Sequence, residues 1–214
     1  TVIGRLYDVK EFSDAWRVGD NPRVADLLGY PDCCGAFFQN VWIERKLLDT
    51  TWTMALASQG TFHGKAHIEV DNTPETNILW RWMGVRSVPH LPCSFVCDKT
   101  RKLAGQMLSV GSAHGYAEEV AWIRTILSWP IEWTATNGIC EVQTPILKFM
   151  APTDTASENR TVRLRSDFYP EETAPGVRFP FLQSIEESNA HISSGPVDGP
   201  SSSSVLIPEW MASD

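Results

Sequence analysis

Two short stretches of this sequence combine a proline with closely spaced cysteines. Residues 28–34 read LGYPDCC, and residues 90–97 read HLPCSFVC. Proline is favoured at the first position of an α-helix, where its missing N–H leaves no hydrogen bond unmade. Both stretches therefore predict a helix that carries cysteine in its first turn.

The first turn of a helix is a favourable place for a thiolate, because its unpaired N–H groups and the macrodipole lower the pKa of a thiol. Cys93 and Cys97 are four residues apart and would share one face of a helix that begins at Pro92. Four thiolates suit a tetrahedral zinc ion or a [4Fe–4S] cluster. We predict one metal site, with an iron–sulfur cluster as the leading cofactor and zinc as the alternative. Its ligands are Cys33, Cys34, Cys93 and Cys97.

Two other interpretations of these cysteines stay open. They could cycle between thiols and a disulfide, which would make the chain a thiol–disulfide redox protein. They could also be small buried hydrophobic residues, as free cysteines often are. The chain has five cysteines, an odd number that does not fit a simple disulfide framework. The fifth, Cys140, lies in an apolar strand pattern and is predicted to be part of the core.

Further residues near the motifs are candidates for the site. His90 precedes Cys93 by three residues and could be a ligand or a hydrogen-bond donor to a sulfur. Arg81 and Arg101 are candidates for binding an anionic cofactor or substrate, although surface charges would give the same pattern. Cys33 is the candidate catalytic position, because Cys34 falls on the buried stripe of its helix. An open metal position there would make the protein an enzyme that acts on a small molecule, whereas a closed site would be structural.

A second pair of potential ligands, His63 and His67, lies on the polar side of a predicted strand. Even spacing places both side chains on one face of the sheet. No carboxylate at a suitable spacing completes a metal-binding motif around them. Two histidines on the polar side of a strand are more often exposed or hydrogen-bonded residues than metal ligands.

The composition excludes some classes of partner. The net charge is −8 and the pI about 5.1, without a lysine- or arginine-rich run. General binding to nucleic acid or to a membrane surface depends on basic patches, so neither is expected. No apolar run of about 20 residues is present to span a bilayer. We expect a cytoplasmic protein. Its expected partner is a small-molecule substrate or a redox partner protein. The alternative is a module that uses a structural metal to bind another protein.

The pattern of the whole chain predicts an α+β fold, with a helical core that carries the cysteine motifs and a small antiparallel sheet. Residues 1–20 are predicted to be an irregular lead-in, 21–182 a single domain, and 183–214 an acidic Ser/Gly/Pro-rich tail. Helices are predicted from Asn21 to Leu28, from Pro31 onward, over 75–83, over 92–110 and after Tyr116. Residues 61–70 alternate and predict one strand, residues 131–150 contain a hairpin with an Asn137-Gly138 turn, and residues 161–165 predict a further strand. Pro145 indicates that the second hairpin strand lies at a sheet edge or contains a bulge.

Taken together, the two cysteine stretches with Phe37-Phe38, Pro89 and Ala104 resemble an uncharacterised prokaryotic protein family that carries the motifs LGYPxCC and HxPCSFxC. The resemblance covers residues 21–110 and implies no activity. A weaker similarity is to the cysteine-rich CCG domain of heterodisulfide-reductase-type proteins, which hold an unusual iron–sulfur cluster. Cys33-Cys34-Gly35 matches that motif, but three residues separate Cys93 from Cys97 where the motif has two, and its upstream cysteine is missing. No function is transferred from that domain.

Overall fold

The computed structural model describes residues 2–155 and 157–170, and over this part of the chain the fold is α+β, as predicted. The tail expected over 183–214 and the end of the domain expected at 182 lie outside the described residues. The α-helices are α1 Leu6–Val18, α2 Asn21–Leu27, α3 Asp32–Phe38, α4 Thr51–Leu56, α5 Asp98–Ala113 and α6 Ala117–Ser128. The strands are β1 Thr61–Phe62, β2 His67–Asp71, β3 Ile131–Thr136, β4 Ile139–Gln143, β5 Lys148–Pro152 and β6 Arg160–Arg165.

The sheet is mixed and larger than the small antiparallel sheet expected. Its strand order is β1-β2-β6-β3-β4-β5, with β2 and β6 parallel and every other pair antiparallel. Alternate residues of β3 are fully or almost fully buried, with Trp133 at its middle. Phe95 from the second cysteine stretch and Leu127 from α6 belong to the same core. The sheet and the segment carrying two of the cysteines therefore share one hydrophobic core.

The hairpin between β3 and β4 forms as predicted. Asn137 and Gly138 both have positive φ, at 49° and 81°, which is the backbone that a type I′ turn requires. Of the two alternatives that Pro145 predicted, the position of β4 at a sheet edge is wrong. β4 ends at Gln143 and pairs with β5 on its other side, so Pro145 lies in the turn between two paired strands.

The first twenty residues are not an irregular lead-in, because α1 occupies most of them. Ala15 is the buried residue of this helix, and α1 packs against α2. Exposed apolar residues such as Leu6 and Trp16 interrupt the helical pattern and hide it in the sequence. Gly19 ends α1 with a φ of 75°, the left-handed conformation that glycine adopts without a steric cost.

Two further predicted elements also differ. The strand expected over 61–70 is the antiparallel β1–β2 hairpin, which turns at Gly64 with a φ of 74°. The helix expected over 75–83 is replaced by two short 3₁₀ turns, Pro74–Thr76 and Arg81–Met83. Between them the Asn77 side chain accepts a hydrogen bond from the Leu79 N–H and donates one to the Leu127 carbonyl. This contact with the end of α6 replaces helical hydrogen bonds. It could not be predicted from the periodicity of apolar residues in the sequence.

The helix that carries the first cysteine pair is confirmed, but its path changes after about two turns. α3 continues as a π-helical segment, Gln39–Glu44, whose wider turn shifts the buried face. Cys34 and Val41 are buried as the predicted stripe requires, whereas Trp42 is half exposed. Over the described residues, no helix is long and apolar enough to cross a membrane.

Candidate metal centre

The sulfur atoms of Cys33, Cys34, Cys93 and Cys97 all lie within 4.8 Å of one another. The Cys34 sulfur is 3.7 Å from that of Cys97, and the Cys33 sulfur is 3.8 Å from Cys97 and 3.9 Å from Cys34. The predicted convergence of the two cysteine stretches is therefore confirmed. These four thiols could hold a metal ion.

The first pair is positioned by the start of α3. Pro31 caps the helix in an extended conformation, and its carbonyl accepts a hydrogen bond from the Cys34 N–H at 2.8 Å. Both cysteines therefore lie in the first turn, as predicted. Cys34 is 1% exposed and points into the molecule, whereas Cys33 is partly exposed.

The second pair is positioned by a loop, and here the sequence prediction is wrong. α5 begins at Asp98 with Cys97 as its cap residue, so Cys93 precedes the helix and the two cysteines share no helix face. The backbone of Phe95 explains the late start. Its N–H donates to the Ser58 hydroxyl at 2.9 Å, and its carbonyl accepts from the Thr76 hydroxyl at 2.5 Å. Contacts with distant parts of the chain hold this segment in a loop that aims both sulfurs at α3.

A hydrogen-bonded chain connects Cys34 to His90. The Thr100 hydroxyl lies 3.2 Å from the Cys34 sulfur and 3.0 Å from His90 Nε2. If Cys34 is a thiolate, Thr100 donates to the sulfur and accepts from Nε2–H, so Nδ1 carries the lone pair of the neutral ring. His90 is 8% exposed, and its Nδ1 is buried without a hydrogen-bond partner among the described residues. His90 thus contacts Thr100, and Thr100 contacts the sulfur.

The electrostatics of the four thiols favour ionisation of Cys34. Hydrogen bonds lower the pKa of Cys34 to about 3; the largest effect comes from Cys93, and burial opposes it. Burial, followed by the neighbouring Cys34, raises the pKa of Cys33 to about 11. The pKa of Cys93 is raised as well, first because its thiol donates to Cys34. These shifts favour the thiolate at Cys34 and the protonated thiol at Cys33 and Cys93.

The two arginines predicted as site residues both form ion pairs. Arg81 pairs with the buried carboxylate of Asp49 at 3.3 Å, and its guanidinium stacks over the Trp82 ring. Arg101 is exposed on α5 and pairs with Asp98. Their role in cofactor binding stays a prediction, as does the catalytic role of Cys33. Cys140 is fully buried in the core, as expected.

A cavity of about 560 Å³ adjoins the cysteines. Cys34 and His90 both line it, so the wall of the cavity contains one of the four thiols and the histidine linked to it. Tyr30 lies at the same wall, with its ring centroid 5.0 Å from that of His90. Burial raises the pKa of the Tyr30 hydroxyl, and the charge of Arg86 opposes that rise. The sequence pattern identified His90 as a candidate but not Thr100, which has no sequence signal beyond its place three residues after Cys97.

The histidine pair of the β1–β2 hairpin forms a different cluster. His63 Nε2 lies 3.1 Å from the Glu69 carboxylate, and His67 lies 3.9 Å from it. Arg163 also pairs with Glu69 at 3.3 Å. Arg163 lies on the Glu69 carboxylate that both histidines reach, and its positive charge repels a metal cation. The pair is therefore explained as part of an ion-pair network over the sheet.

Comparisons with known proteins give no relative. No protein-family model matches the chain, and searches of curated proteins and of solved structures find no match either. The function must therefore be inferred from the site itself.

Proposed function

We propose that this chain binds a single metal ion through Cys33, Cys34, Cys93 and Cys97, and that zinc is the ion. The observation that supports this is the spacing of the sulfurs. In a tetrahedral site with Zn–S bonds of about 2.3 Å, neighbouring sulfurs lie about 3.8 Å apart. Three of the sulfur pairs here are 3.7 to 3.9 Å apart.

The iron–sulfur cluster predicted from the sequence is the second candidate. In a [4Fe–4S] cluster each cysteine binds a different iron, so the four sulfurs stand further apart than around one ion. The observed spacing favours the single ion for this reason. A cluster would require the loop that carries Cys93 to move away from α3.

A bound ion would join two parts of the chain that are distant in sequence. Cys33 and Cys34 start α3, whereas Cys93 and Cys97 lead into α5. Because the ligands are brought together only in the folded chain, metal binding contributes directly to the free energy of folding. The ion therefore stabilises the packing of α3 against the start of α5.

The thiol–disulfide alternative predicts different chemistry at the same residues. A disulfide has a sulfur–sulfur bond of about 2.05 Å and forms with the loss of two electrons and two protons, so it requires an oxidant. A metal site keeps all four thiolates and requires none. Counting free thiols and metal in the same sample separates the two.

The test is metal analysis of protein purified without oxygen from cells supplied with both zinc and iron. We expect about one zinc per chain, no acid-labile sulfide and no absorption in the visible range. Four irons with sulfide would identify the cluster instead, and a metal-free protein with disulfides would contradict the proposal.

Single cysteine-to-serine variants locate the ligands. Each change at the four positions should lower the bound zinc, and Cys140→Ala should not, because Cys140 lies in the core outside the site. Cys33→Ser is the most informative variant. If it retains the metal, the site has three protein ligands and an open position, which is the arrangement of catalytic zinc sites.

A further inference from the structure

The cavity beside the cysteines has a closed, mainly apolar floor and an open mouth. Its floor contains the buried side chains of Val24, Cys34, Ile78, Val88 and His90. Trp16 and Trp42 at its edge are 68% and 48% exposed. A volume of about 560 Å³ is within the range of small-molecule sites, and such sites are typically apolar with a few polar groups.

One group of polar residues in the cavity wall lies next to the cysteines, and Asn21, Thr50 and Arg81 are further polar residues of the lining. Tyr30 precedes α3 by two residues, and its ring contacts that of His90, which follows Arg86 in the same segment. The apolar residues Phe38, Trp42 and Ile43 follow further along the same helical segment. At a rise of about 1.5 Å per residue, the eight residues from Cys34 to Trp42 cover roughly 12 Å. The cavity wall therefore has polar groups beside the cysteines and apolar side chains further along.

The two arginines of the cavity differ in their partners. Arg81 is neutralised by the buried carboxylate of Asp49 and also donates to the Ile78 carbonyl. Arg86 has neither an ion pair nor a hydrogen bond to a side chain or backbone group among the described residues. Arg86 is exposed, and its guanidinium is a positive charge of the cavity wall that pairs with no carboxylate among the described residues. Because a guanidinium pairs well with a planar carboxylate, this part of the wall is complementary to an anionic group.

We propose that this cavity binds a small carboxylic acid with an apolar chain or ring. The carboxylate would pair with Arg86, and the apolar part would lie against Phe38 and Trp42. This inference rests on the proposed metal centre only in that Cys34 and His90 line the same cavity as Arg86. The hydrogen-bonding chain through Thr100 and His90 then links the wall of the cavity to the cysteine cluster.

The test uses octanoate and 1-octanol as probes, because they differ in charge and share an apolar chain. Binding to the full, metal-loaded chain is measured by isothermal titration calorimetry. We expect octanoate to bind at least about tenfold more tightly than octanol, since a hydrogen bond to a charged group contributes about that factor. Arg86→Gln should remove this difference, and Arg86→Lys should keep part of it.

A matched control removes an arginine elsewhere. Arg124 is exposed on α6 and does not line the cavity, so Arg124→Gln should bind octanoate like the unaltered protein. Equal binding of octanoate and octanol would overturn the proposal. So would a failure of octanoate to bind at millimolar concentration, whether the cavity is empty or covered by another segment or a second copy of the chain.

Metal content is measured on each sample to keep the two proposals separate. If octanoate binds with the expected dependence on Arg86 while no metal is present, the result supports the proposal for the cavity and contradicts the proposal of a metal centre. If the chain holds its metal and octanoate does not bind, the metal centre stands and the cavity proposal fails.

Discussion

The Thr100 hydroxyl lies 3.2 Å from the Cys34 sulfur and is itself held by His90. Thr100 is fully buried in the first turn of α5, so its hydroxyl has few other groups to contact. A hydrogen bond of this kind orients a metal-binding sulfur and stabilises its thiolate. Thr100 therefore acts on the proposed metal through Cys34.

Thr100→Val should weaken zinc binding by about 10- to 100-fold, the usual effect of removing a group that orients a ligand. The change keeps the shape of the side chain and removes the hydroxyl. Competition with a chelator measures the affinity. Thr100→Ser restores the hydroxyl and should recover most of the binding, and an unchanged affinity in Thr100→Val would contradict the role assigned to the hydroxyl.

The metal-free, reduced protein should contain a thiolate well below the ordinary pKa of cysteine. The pKa of Cys34 is lowered to about 3, so its ionised form stabilises the fold fully above the ordinary cysteine pKa, and this contribution falls as the pH drops toward 3. The pKa of Cys33 is raised to about 11, so it is the protonated form of Cys33 that stabilises the fold. This contribution is fully present below the ordinary cysteine pKa and is lost as the pH rises through 11. Thiolate absorbance near 240 nm, followed from pH 5 to 8, checks this. Cys34→Ala should remove the absorbance in that range, and Cys33→Ala should leave it.

Asp49 is a buried carboxylate on which much of the surrounding structure depends. It accepts hydrogen bonds from Trp133 at 2.8 Å and from the Thr51 hydroxyl at 2.7 Å, and it pairs with Arg81. Asp49→Asn should lower the free energy of unfolding by about 3 kcal/mol, because the Arg81 charge is left buried without its partner. Chemical denaturation gives this value. The control is Asp32→Asn, whose 88% exposed carboxylate pairs with Lys99 and should change stability by less than about 0.5 kcal/mol.

Two glycines should respond in opposite ways to alanine. A Cβ on Gly60 would lie 2.6 Å from the Glu69 carbonyl oxygen and 2.9 Å from Ile68, so Gly60→Ala should destabilise the fold by about 1–3 kcal/mol. A Cβ on Gly105 would meet no atom within 4 Å, and Gly105 lies inside α5. Gly105→Ala should therefore stabilise the protein by about 0.5–1 kcal/mol. Thermal unfolding of both variants measures the two effects.

The parts of the fold that could be predicted depend on local signals. The β3–β4 hairpin follows from Asn137-Gly138, and the start of α3 follows from Pro31, because each signal acts on its own neighbours. The late start of α5 could not be predicted, since it depends on Ser58 and Thr76 binding the backbone of Phe95. The parallel pairing of β2 with β6 joins residues 94 positions apart in the sequence, and no short-range pattern encodes it.

The site was predicted better than its supporting structure. The repeated proline–cysteine pattern was sufficient to group the four cysteines. Their actual geometry differs, because Cys93 lies in a loop and not on a helix face. Thr100 and Asp49 were missed because a threonine in a helix and an aspartate before one are common in any sequence. Only their three-dimensional neighbours distinguish them.

The position of β6 has a consequence for the order in which the molecule can be assembled during synthesis. β6 lies between β2 and β3 and pairs with both, yet it is made after all the other strands. Until β6 emerges, the β1–β2 hairpin and the β3–β5 strands each have an unpaired edge. These edges carry apolar residues that are buried in the complete fold, such as Val70 and Trp133. Unpaired edges of this kind are sites of aggregation in nascent chains. Both cysteine stretches are already synthesised when β6 emerges. If the nascent chain binds the proposed metal at that stage, the metal would hold α3 and the start of α5 together before the sheet is complete.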